Sequence, residues 1–267
     1  SVHGFSFSPF QPFLKRSIYR VIEKVVSRFT DHFIFVSEGD VASAEKLKLI
    51  KKGSFSLIRS GFDFGKFSTT GTSSVAARGK YNISKDDFVC GVIAPFKEQK
   101  GLFNLIKIAS AVLERDRNIL FFIAGDTVLR ERIESELEKA GVKERFRMPG
   151  FVHDIENVIS FFDIGISTAL WEGLPQSLVQ MRLMKKAVIA TDIPGNNEII
   201  KDGVNGHTIK VDNGEEFADK ILYLKKNDEY RNRLSGHKED LSDWDGDSMV
   251  RAQEDLYSSL MTRGEPG

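Results

Sequence analysis

From about Lys85 onward, short apolar runs alternate with amphipathic stretches, and this alternation constrains the fold more than any other feature of the sequence. Runs of this kind are typical of buried strands, and the stretches between them are typical of helices. The predicted strands are 88–94, 119–124, a short strand before Pro149, 163–167 and 187–191. The predicted helices are 102–115, 129–139, one near 155–161, 175–185 and 195–200. Five strands that are each followed by a helix predict an α/β domain with a Rossmann-like, doubly wound parallel sheet.

The first 60 residues follow a different pattern. Between 14 and 29, apolar residues recur at helical spacing and Lys and Arg crowd the other faces, which predicts a basic amphipathic helix. A strand at 33–36 and a helix at 40–49 form a further βα unit. Residues 60–80 are rich in Ser, Thr and Gly, as a linker or a domain boundary is. We therefore place a domain boundary near Gly61, and we expect the last helix near 248–260.

Composition excludes several classes of protein. The 38 Lys and Arg balance the 38 Asp and Glu, which argues against a dedicated nucleic-acid binder. The single cysteine excludes an intrachain disulfide framework. No stretch approaches the ~20 consecutive apolar residues that a membrane-spanning helix needs. Because the sequence begins with Ser1 and not with Met, we expect it to start inside a longer protein.

Common cofactor and metal motifs are absent from the sequence. No Gly-x-Gly-x-x-Gly follows a predicted strand, so a bound dinucleotide cofactor is not expected. Residues 61–66 match a P-loop only superficially, because Phe67 stands where Ser or Thr would bind magnesium. Residues 243–247 partly mimic a calcium loop, but Ser248 stands where the turn needs Gly. The five histidines have no metal-ligand spacing, and Cys90 lies in a predicted core strand.

The segment 171–180 has the features of an anion site, because it follows a predicted strand and opens a helix. Gly173 lets the backbone approach a ligand closely, and Pro175 suits a first helical turn. The backbone amides of residues 174–178 would face a phosphate, which makes Leu174, Gln176 and Ser177 candidate ligands. Glu172 would stand at the mouth of the site. Lys97 and Lys100, in the loop after the first strand of the domain, would bring positive charge to the same rim.

A set of motifs spread over nearly the whole chain resembles the family 4 retaining glycosyltransferases. They occur in the family's order and read Val-Ser-Glu at 36–38, Ser-Gly-Phe-Asp at 60–63, Phe-Ile-Ala-Gly-Asp at 122–126, Gly-Phe-Val at 150–152, Glu-Gly-Leu-Pro at 172–175, and Asp-Gly-x-Asn-Gly at 202–206. The resemblance implies the glycosyltransferase B fold, with two Rossmann-like lobes. It assigns 1–60 to the tail of an acceptor-binding lobe, 61–240 to the nucleotide-sugar donor lobe, and 241–267 to a helix that crosses back.

The resemblance also implies roles for single residues. Lys100 matches the basic residue that steadies the donor diphosphate, and Glu172 matches the first Glu of a paired-glutamate motif close to the transferred sugar. Gln180 stands where relatives have the second Glu, which holds the ribose diol; its neutral amide accepts hydrogen bonds more weakly. Pro95 replaces an Arg that many relatives carry, so that Lys97 would have to supply the missing charge.

Two further contacts follow from the resemblance. Phe151 and Val152 would offer backbone contacts to the base, and His3 would lie near the reacting centre. The implied activity is transfer of a sugar from a nucleotide sugar to a glycan or a lipid-linked acceptor, with retention of anomeric configuration and without a metal or other cofactor. The expected setting is surface polysaccharide or cell-envelope synthesis in the cytoplasm. The enzyme would then be peripheral on the inner face of the membrane.

Alternatives stay open at this point. Gln180 and Pro95 are compatible with a catalytically silent lobe that only binds nucleotide sugars, and a sugar-nucleotide epimerase has a similar two-lobed fold. The basic helix at 14–29 would either contact anionic lipid or present a solvated face while Ile18, Ile22 and Val25 pack inward.

Overall fold

The computed structural model describes residues 1–5, 7, 12–68 and 74–263. They form two compact units, the first from residues 1–64 with 239–267 and the second from residues 65–238. Composition predicts the first boundary near 61, and the family resemblance predicts the second near 241.

The first unit begins with helix α1, Phe13–Val26, which a 3-10 turn at Ser27–Phe29 extends. Strand β1, Phe33–Phe35, helix α2, Glu38–Lys46, and strand β2, Phe55–Leu57, follow. The two strands pair in parallel, and Ser37 caps α2 by accepting a hydrogen bond from the Asp40 amide. Strand β2 was not predicted, because it is short and only half-buried and therefore lacks a strong apolar run.

The apolar side of α1 is exposed. Ile18, Ile22 and Val25, which one of the two hypotheses for this helix packs inward, have 52%, 50% and 49% of their surface exposed. No residue of α1 is buried. The periodicity therefore predicted the helix correctly, but the described part of the chain supplies no cover for its apolar face.

The second unit opens with two short helices, α3 at Gly65–Ser68 and α4 at Ser74–Lys80. The segment 60–80, which composition predicts to be a linker or a domain boundary, therefore contains these two helices as well as the division between the units, and 69–73 lie outside the described part. Arg78 explains why α4 is anchored. Its guanidinium donates to the carbonyls of Ser84, Asp87 and Phe161 and to the Asp163 carboxylate, 3.1 Å away.

Six strands and the helices between them make up the rest of the second unit. In chain order they are β3 Phe88–Ile93, α5 Leu102–Arg115, β4 Ile119–Ala124, α6 Arg130–Lys139, β5 Phe146–Gly150, α7 Ile155–Ser160, β6 Ile164–Ser167, α8 Gln176–Leu183, β7 Ala187–Thr191, α9 Pro194–Ile199, β8 Gly206–Ile209, α10 Gly214–Lys226 and α11 Asp228–Ser235. The chain then returns to the first unit, where α12 occupies Gly246–Arg263.

The strands form one parallel sheet in the order β5-β4-β3-β6-β7-β8. The predicted α/β class with a doubly wound sheet is confirmed. Strand β8 was missed, because it is four residues long and contains Gly206 and the polar His207 and Thr208. The strand order reverses between β3 and β6, and the loops after these two strands therefore flank the topological switch point, where ligands of such sheets bind.

The core of the second unit lies on both faces of this sheet. Helix α5 buries seven of its 14 residues, and α10 packs beside it with Phe217, Ile221 and Leu224 buried. Cys90 is fully buried in β3, as predicted, and burial raises the pKa of its thiol well above the ordinary value. This thiol is therefore inert packing and not a nucleophile.

Candidate functional site

The loops after β3 and β6 are joined at the switch point. The backbone oxygen of Gln99 accepts a hydrogen bond from the Leu170 amide at 2.8 Å, and the Gln99 side-chain amide donates to the Trp171 carbonyl at 2.9 Å. The Thr168 hydroxyl donates to the Lys100 carbonyl at 3.1 Å. The two loops are thus held together by three hydrogen bonds.

Gly101 completes this junction and begins α5. Its φ of 64° is a left-handed conformation that favours glycine, and a Cβ added there would lie 1.9 Å from the carbonyl oxygen of Thr168. No side chain fits in that space. The close approach of the two loops therefore depends on glycine at this position.

Lys100 and Glu172 form an ion pair across the junction, between Lys100 Nζ and Glu172 Oε1. The Lys100 side chain is 19% exposed and the Glu172 side chain is 9% exposed. The sequence placed Glu172 at the mouth of the site, whereas the structure buries most of its side chain against Lys100. Because the Glu172 carboxylate already balances the charge of Lys100, an anionic ligand at Lys100 would either displace Glu172 or share the ammonium group with it.

A cavity of about 540 Å³ opens at the carboxyl ends of the neighbouring strands. Its walls come from the ends of β3 and β4, the segment after β5, the start of α7 and one side chain of α8. The lining residues are Ile93, Ala94, Pro95, Ala124, Gly125, Asp126, Phe151, Val152, His153, Ile155 and Gln180. Apolar walls with a few polar groups at the rim are typical of a site for a small organic ligand.

The cavity floor is fixed where β3, β4 and β5 end. The Gly125 amide donates to the Gly150 carbonyl at 2.8 Å, and a Cβ on Gly125, whose φ is 145°, would lie 2.0 Å from the Ala94 oxygen. At the rim, Arg130 pairs with Asp126 at 3.0 Å and donates to the Met148 carbonyl. The Asp126 carboxylate is therefore partly neutralised before any ligand arrives.

Phe151 and His153 stand together at one side of the cavity. Their ring centroids are 5.0 Å apart and the planes are nearly perpendicular, and 74% of the Phe151 surface is exposed. An exposed aromatic ring next to an apolar cavity offers a planar ligand a surface to contact. The predicted base contacts, Phe151 and Val152, thus line the cavity, and Gln180 lies on its α8 side.

Fewer backbone amides at the start of α8 can face a ligand than the sequence predicts. The helix begins at Gln176 and Pro175 precedes it as the N-cap, so Pro175 is not in the first helical turn. The Gln176 amide donates to Leu174 and the Leu178 amide donates to Pro175. These hydrogen bonds leave Leu174 and Ser177, of the predicted row 174–178, as the residues whose amides can face a ligand. Gly173 is half-buried in the turn before them.

The structure does not bring every predicted site residue together. The side chain of Lys97 is exposed in the loop after β3, and neither Lys97 nor Lys100, Glu172 or residues 173–177 are among the residues that line the cavity. His3 lies in the first unit, where its Nδ1 is 3.3 Å from the Ser60 hydroxyl. Its predicted place near the reacting centre stays a prediction.

Sequence reasoning missed Gln99, Asp126 and His153. Gln99 was interpreted only as part of a loop, and its pairing with Trp171 depends on two loops that are 72 residues apart in the chain. A signal for Asp126 and His153 was available, because both directly follow strands whose carboxyl ends meet at the same edge of the sheet.

Within the described ranges, no helix is both long enough and apolar enough to span a bilayer. In the same ranges, no cluster of three or more His, Cys, Asp or Glu side chains is arranged to hold a metal ion.

Comparison with known proteins identifies the family of this chain. The family model for glycosyl transferases group 1 matches residues 75–239. EpsD of Bacillus subtilis (strain 168) is 27% identical over 264 residues, which are 98% of this chain and 69% of the relative. The Escherichia coli UDP-Gal:alpha-D-GlcNAc-diphosphoundecaprenol alpha-1,3-galactosyltransferase is 22% identical over 225 residues, 83% of this chain and 58% of that enzyme.

The fold is also shared with solved structures. The crystal structure of Anabaena HepE in complex with UDP-glucose superposes with a TM-score of 0.85 at 19% identity, and covers 96% of this chain and 71% of HepE. The chain thus spans about two thirds of EpsD and HepE, and less of the Escherichia coli enzyme.

Proposed function

We propose that this chain, which belongs to the group 1 glycosyl transferases, carries the donor site of an enzyme that transfers a sugar from a nucleotide sugar to a glycan or lipid-linked acceptor. The observation that carries the proposal is the pairing of an apolar cavity of about 540 Å³ with a lysine held at the switch point of the sheet. The apolar cavity suits a base, and Lys100, on the same loop as the cavity residue Pro95, suits the diphosphate.

We assign the parts of a nucleotide sugar to these residues as the family resemblance implies. The cavity between Pro95, Phe151 and Gln180 takes the nucleoside, with the base against Phe151 and a ribose hydroxyl bonded to the Gln180 amide. Lys100 and the amides of Leu174 and Ser177 take the diphosphate. Glu172, next to Lys100, faces the transferred sugar. UDP is the nucleotide favoured by the relatives, because the HepE complex contains UDP-glucose and the Escherichia coli enzyme is named for UDP-Gal.

The same groups can stabilise the diphosphate as it leaves the sugar. When the bond between sugar and diphosphate breaks, negative charge grows on the diphosphate and has to be stabilised in place. Lys100 and the helix amides supply that stabilisation, so that transfer needs no metal ion. We propose retention of anomeric configuration and metal independence together as properties of this site.

The acceptor side belongs to the first unit, to which residues 1–64 and 239–267 contribute. Relatives act in polysaccharide and cell-envelope synthesis, and one of them is named for a diphosphoundecaprenol-linked acceptor. A comparable acceptor for this protein would place the enzyme in the cytoplasm, at the inner face of the membrane.

Helix α1 supports that location. Its 14 residues include four basic side chains and one acidic side chain, and its apolar residues from Phe13 to Val26 are about half exposed or more. A basic helix with an open apolar face binds membranes that contain anionic lipid. We expect the protein to sediment with vesicles of phosphatidylcholine and phosphatidylglycerol but not with phosphatidylcholine alone. The pair Arg20→Glu and Lys24→Glu should abolish sedimentation, whereas Lys107→Glu, an exposed lysine of α5, should not.

A catalytically silent lobe is the second candidate, since Pro95 and Gln180, which depart from the family's charged residues, both line the cavity. Turnover separates the two candidates. The intact protein is incubated with UDP-glucose and other UDP sugars, with and without a chelator, and UDP release and the anomer of the product are followed by NMR. UDP release that survives the chelator and gives the retained anomer supports the transferase. Nucleotide binding without release supports the silent lobe.

A further inference from the structure

We propose that Gln99 is a positioning residue, which acts through Lys100 to hold its ammonium group where the donor diphosphate binds. The inference rests on the proposed function, since it requires a diphosphate at the switch point. The relevant observation is that Gln99 contacts the opposite loop twice, through its backbone oxygen to Leu170 and through its side chain to Trp171.

Both contacts are made by residues that come just before the ion pair in the two loops. Gln99 directly precedes Lys100, and Trp171 directly precedes Glu172. The bond of 2.9 Å from the Gln99 amide to the Trp171 carbonyl therefore sets the separation of the two backbones from which the paired charges extend. The Thr168 bond to the Lys100 carbonyl fixes the same loop from the other side.

The hydrogen bond from Gln99 to Trp171 has its largest effect on the position of Lys100 when the ion pair between Lys100 and Glu172 opens. In the structure, Glu172 itself holds Lys100 in place. Where a bound diphosphate replaces Glu172 as the partner of Lys100, the lysine side chain, which has four rotatable bonds, no longer has that carboxylate to orient it. The Gln99 bond involves neither charge and persists through the exchange. Lys100 can thus move from carboxylate to phosphate while its backbone stays fixed.

The surrounding structure indicates that the loop folds without this bond. Phe96 and Leu102, which flank the loop, are 0% and 2% exposed, and Gly101 packs directly on Thr168. Two of the three hydrogen bonds across the junction do not use the Gln99 side chain. Its loss should therefore change the placement of Lys100 more than it changes folding.

A double-mutant cycle on the intact protein tests this role. Gln99→Met, which keeps the length of the side chain but lacks the donor, is combined with Lys100→Ala, and the affinities for UDP and UMP are measured by calorimetry. We expect Gln99→Met to weaken UDP binding about fivefold, the value of one typical hydrogen bond, and UMP binding less than about twofold. In the Lys100→Ala background the same substitution should have almost no effect on UDP, since contacting residues couple in such cycles.

A second variant guards against a folding defect in the first. Gln99→Glu places an acceptor against the Trp171 carbonyl and a negative charge near Lys100, and it should weaken UDP binding more than Gln99→Met does. Equal losses for UDP and UMP, or an undiminished loss in the Lys100→Ala background, would overturn the positioning role. An unmutated protein that binds neither UDP nor any other nucleoside diphosphate would instead overturn the proposed function, and the inference with it.

Discussion

Helices α1 and α5 are both 14 residues long and both amphipathic, but the apolar face of α1 is exposed whereas that of α5 is buried. Helix α5 buries seven residues against the sheet of the second unit, including Leu105 and Ala109 at 0% exposure. Helix α1 buries none. Periodicity therefore predicts that a segment is helical, but the partner of its apolar face is decided by other elements, which for α5 are the strands beside it.

The difference also separates two kinds of function. The loop before α5 is held by three hydrogen bonds to the loop after β6, and these bonds fix the backbone of Lys100 and Gly101. Among the described residues nothing covers the apolar face of α1, and a lipid bilayer is the surface that we propose for it. The proposed reacting centre requires fixed positions, whereas the proposed membrane attachment requires exposed apolar area.

The largest expected change in stability comes from truncating a side chain on the buried face of α5. Leu105→Ala should lower the free energy of unfolding of the second unit by about 2 to 5 kcal/mol, because it leaves a cavity in a packed core. Ile18→Ala, on the exposed face of α1, should change stability by less than about 0.5 kcal/mol. Urea unfolding followed by circular dichroism measures both. A loss of about 2 kcal/mol or more for Ile18→Ala would show that α1 is packed in solution, and would remove the contrast between the two helices.

The second-largest expected change in stability comes from replacing Gly101, the N-cap residue of α5. Gly101→Ala should cost more than about 2 kcal/mol, because its Cβ would meet the Thr168 oxygen and its φ is left-handed. Gly141→Ala is the matched control in the same unit, since its φ is 66° with no atom within 4 Å, and it should cost only about 1 kcal/mol. The difference between the two variants, measured in the same urea experiment, is the contribution of the loop junction. Equal costs would mean that the junction is not tightly packed.

The smallest effect is the response of the second unit to acid. Burial lowers the pKa of His207, while its hydrogen bond to Asp202 opposes the shift in part. The unfolded chain then binds the proton more readily, so stability is complete above the unfolded pKa of about 6.5 and falls as the pH drops below it, by at most about 1.4 kcal/mol per pH unit.

The variant His207→Gln isolates this response. Thermal melts between pH 7 and pH 5 should show a steeper fall for the unmutated protein than for His207→Gln. If the two proteins lose stability in parallel, another group is responsible for the acid response. The Tyr230 hydroxyl lies 3.1 Å from His207 Nε2, and it can donate to this nitrogen in the neutral ring while Nδ1 donates to Asp202.

The parallel sheet and most of its helices could be predicted from periodicity, since β3, β4 and β7 are continuous apolar runs between helical stretches. Strands β2 and β8 could not, because three and four residues with polar members carry too little pattern. The position of the candidate site was predicted from the sheet, through the rule that ligands bind where strand order reverses. The pairing of Lys100 with Glu172 did not, because a contact between loops 72 residues apart depends on side-chain packing.

The measurement closest to the central claim is thermal stabilisation of this chain by UDP, GDP, ADP and CMP, with Lys100→Ala and, as a control for charge alone, Lys107→Ala. A diphosphate site at the switch point predicts a selective rise in melting temperature with one nucleoside diphosphate, lost in Lys100→Ala and kept in Lys107→Ala. No rise with any nucleotide at millimolar concentration, or a rise that Lys100→Ala leaves unchanged, would contradict such a site.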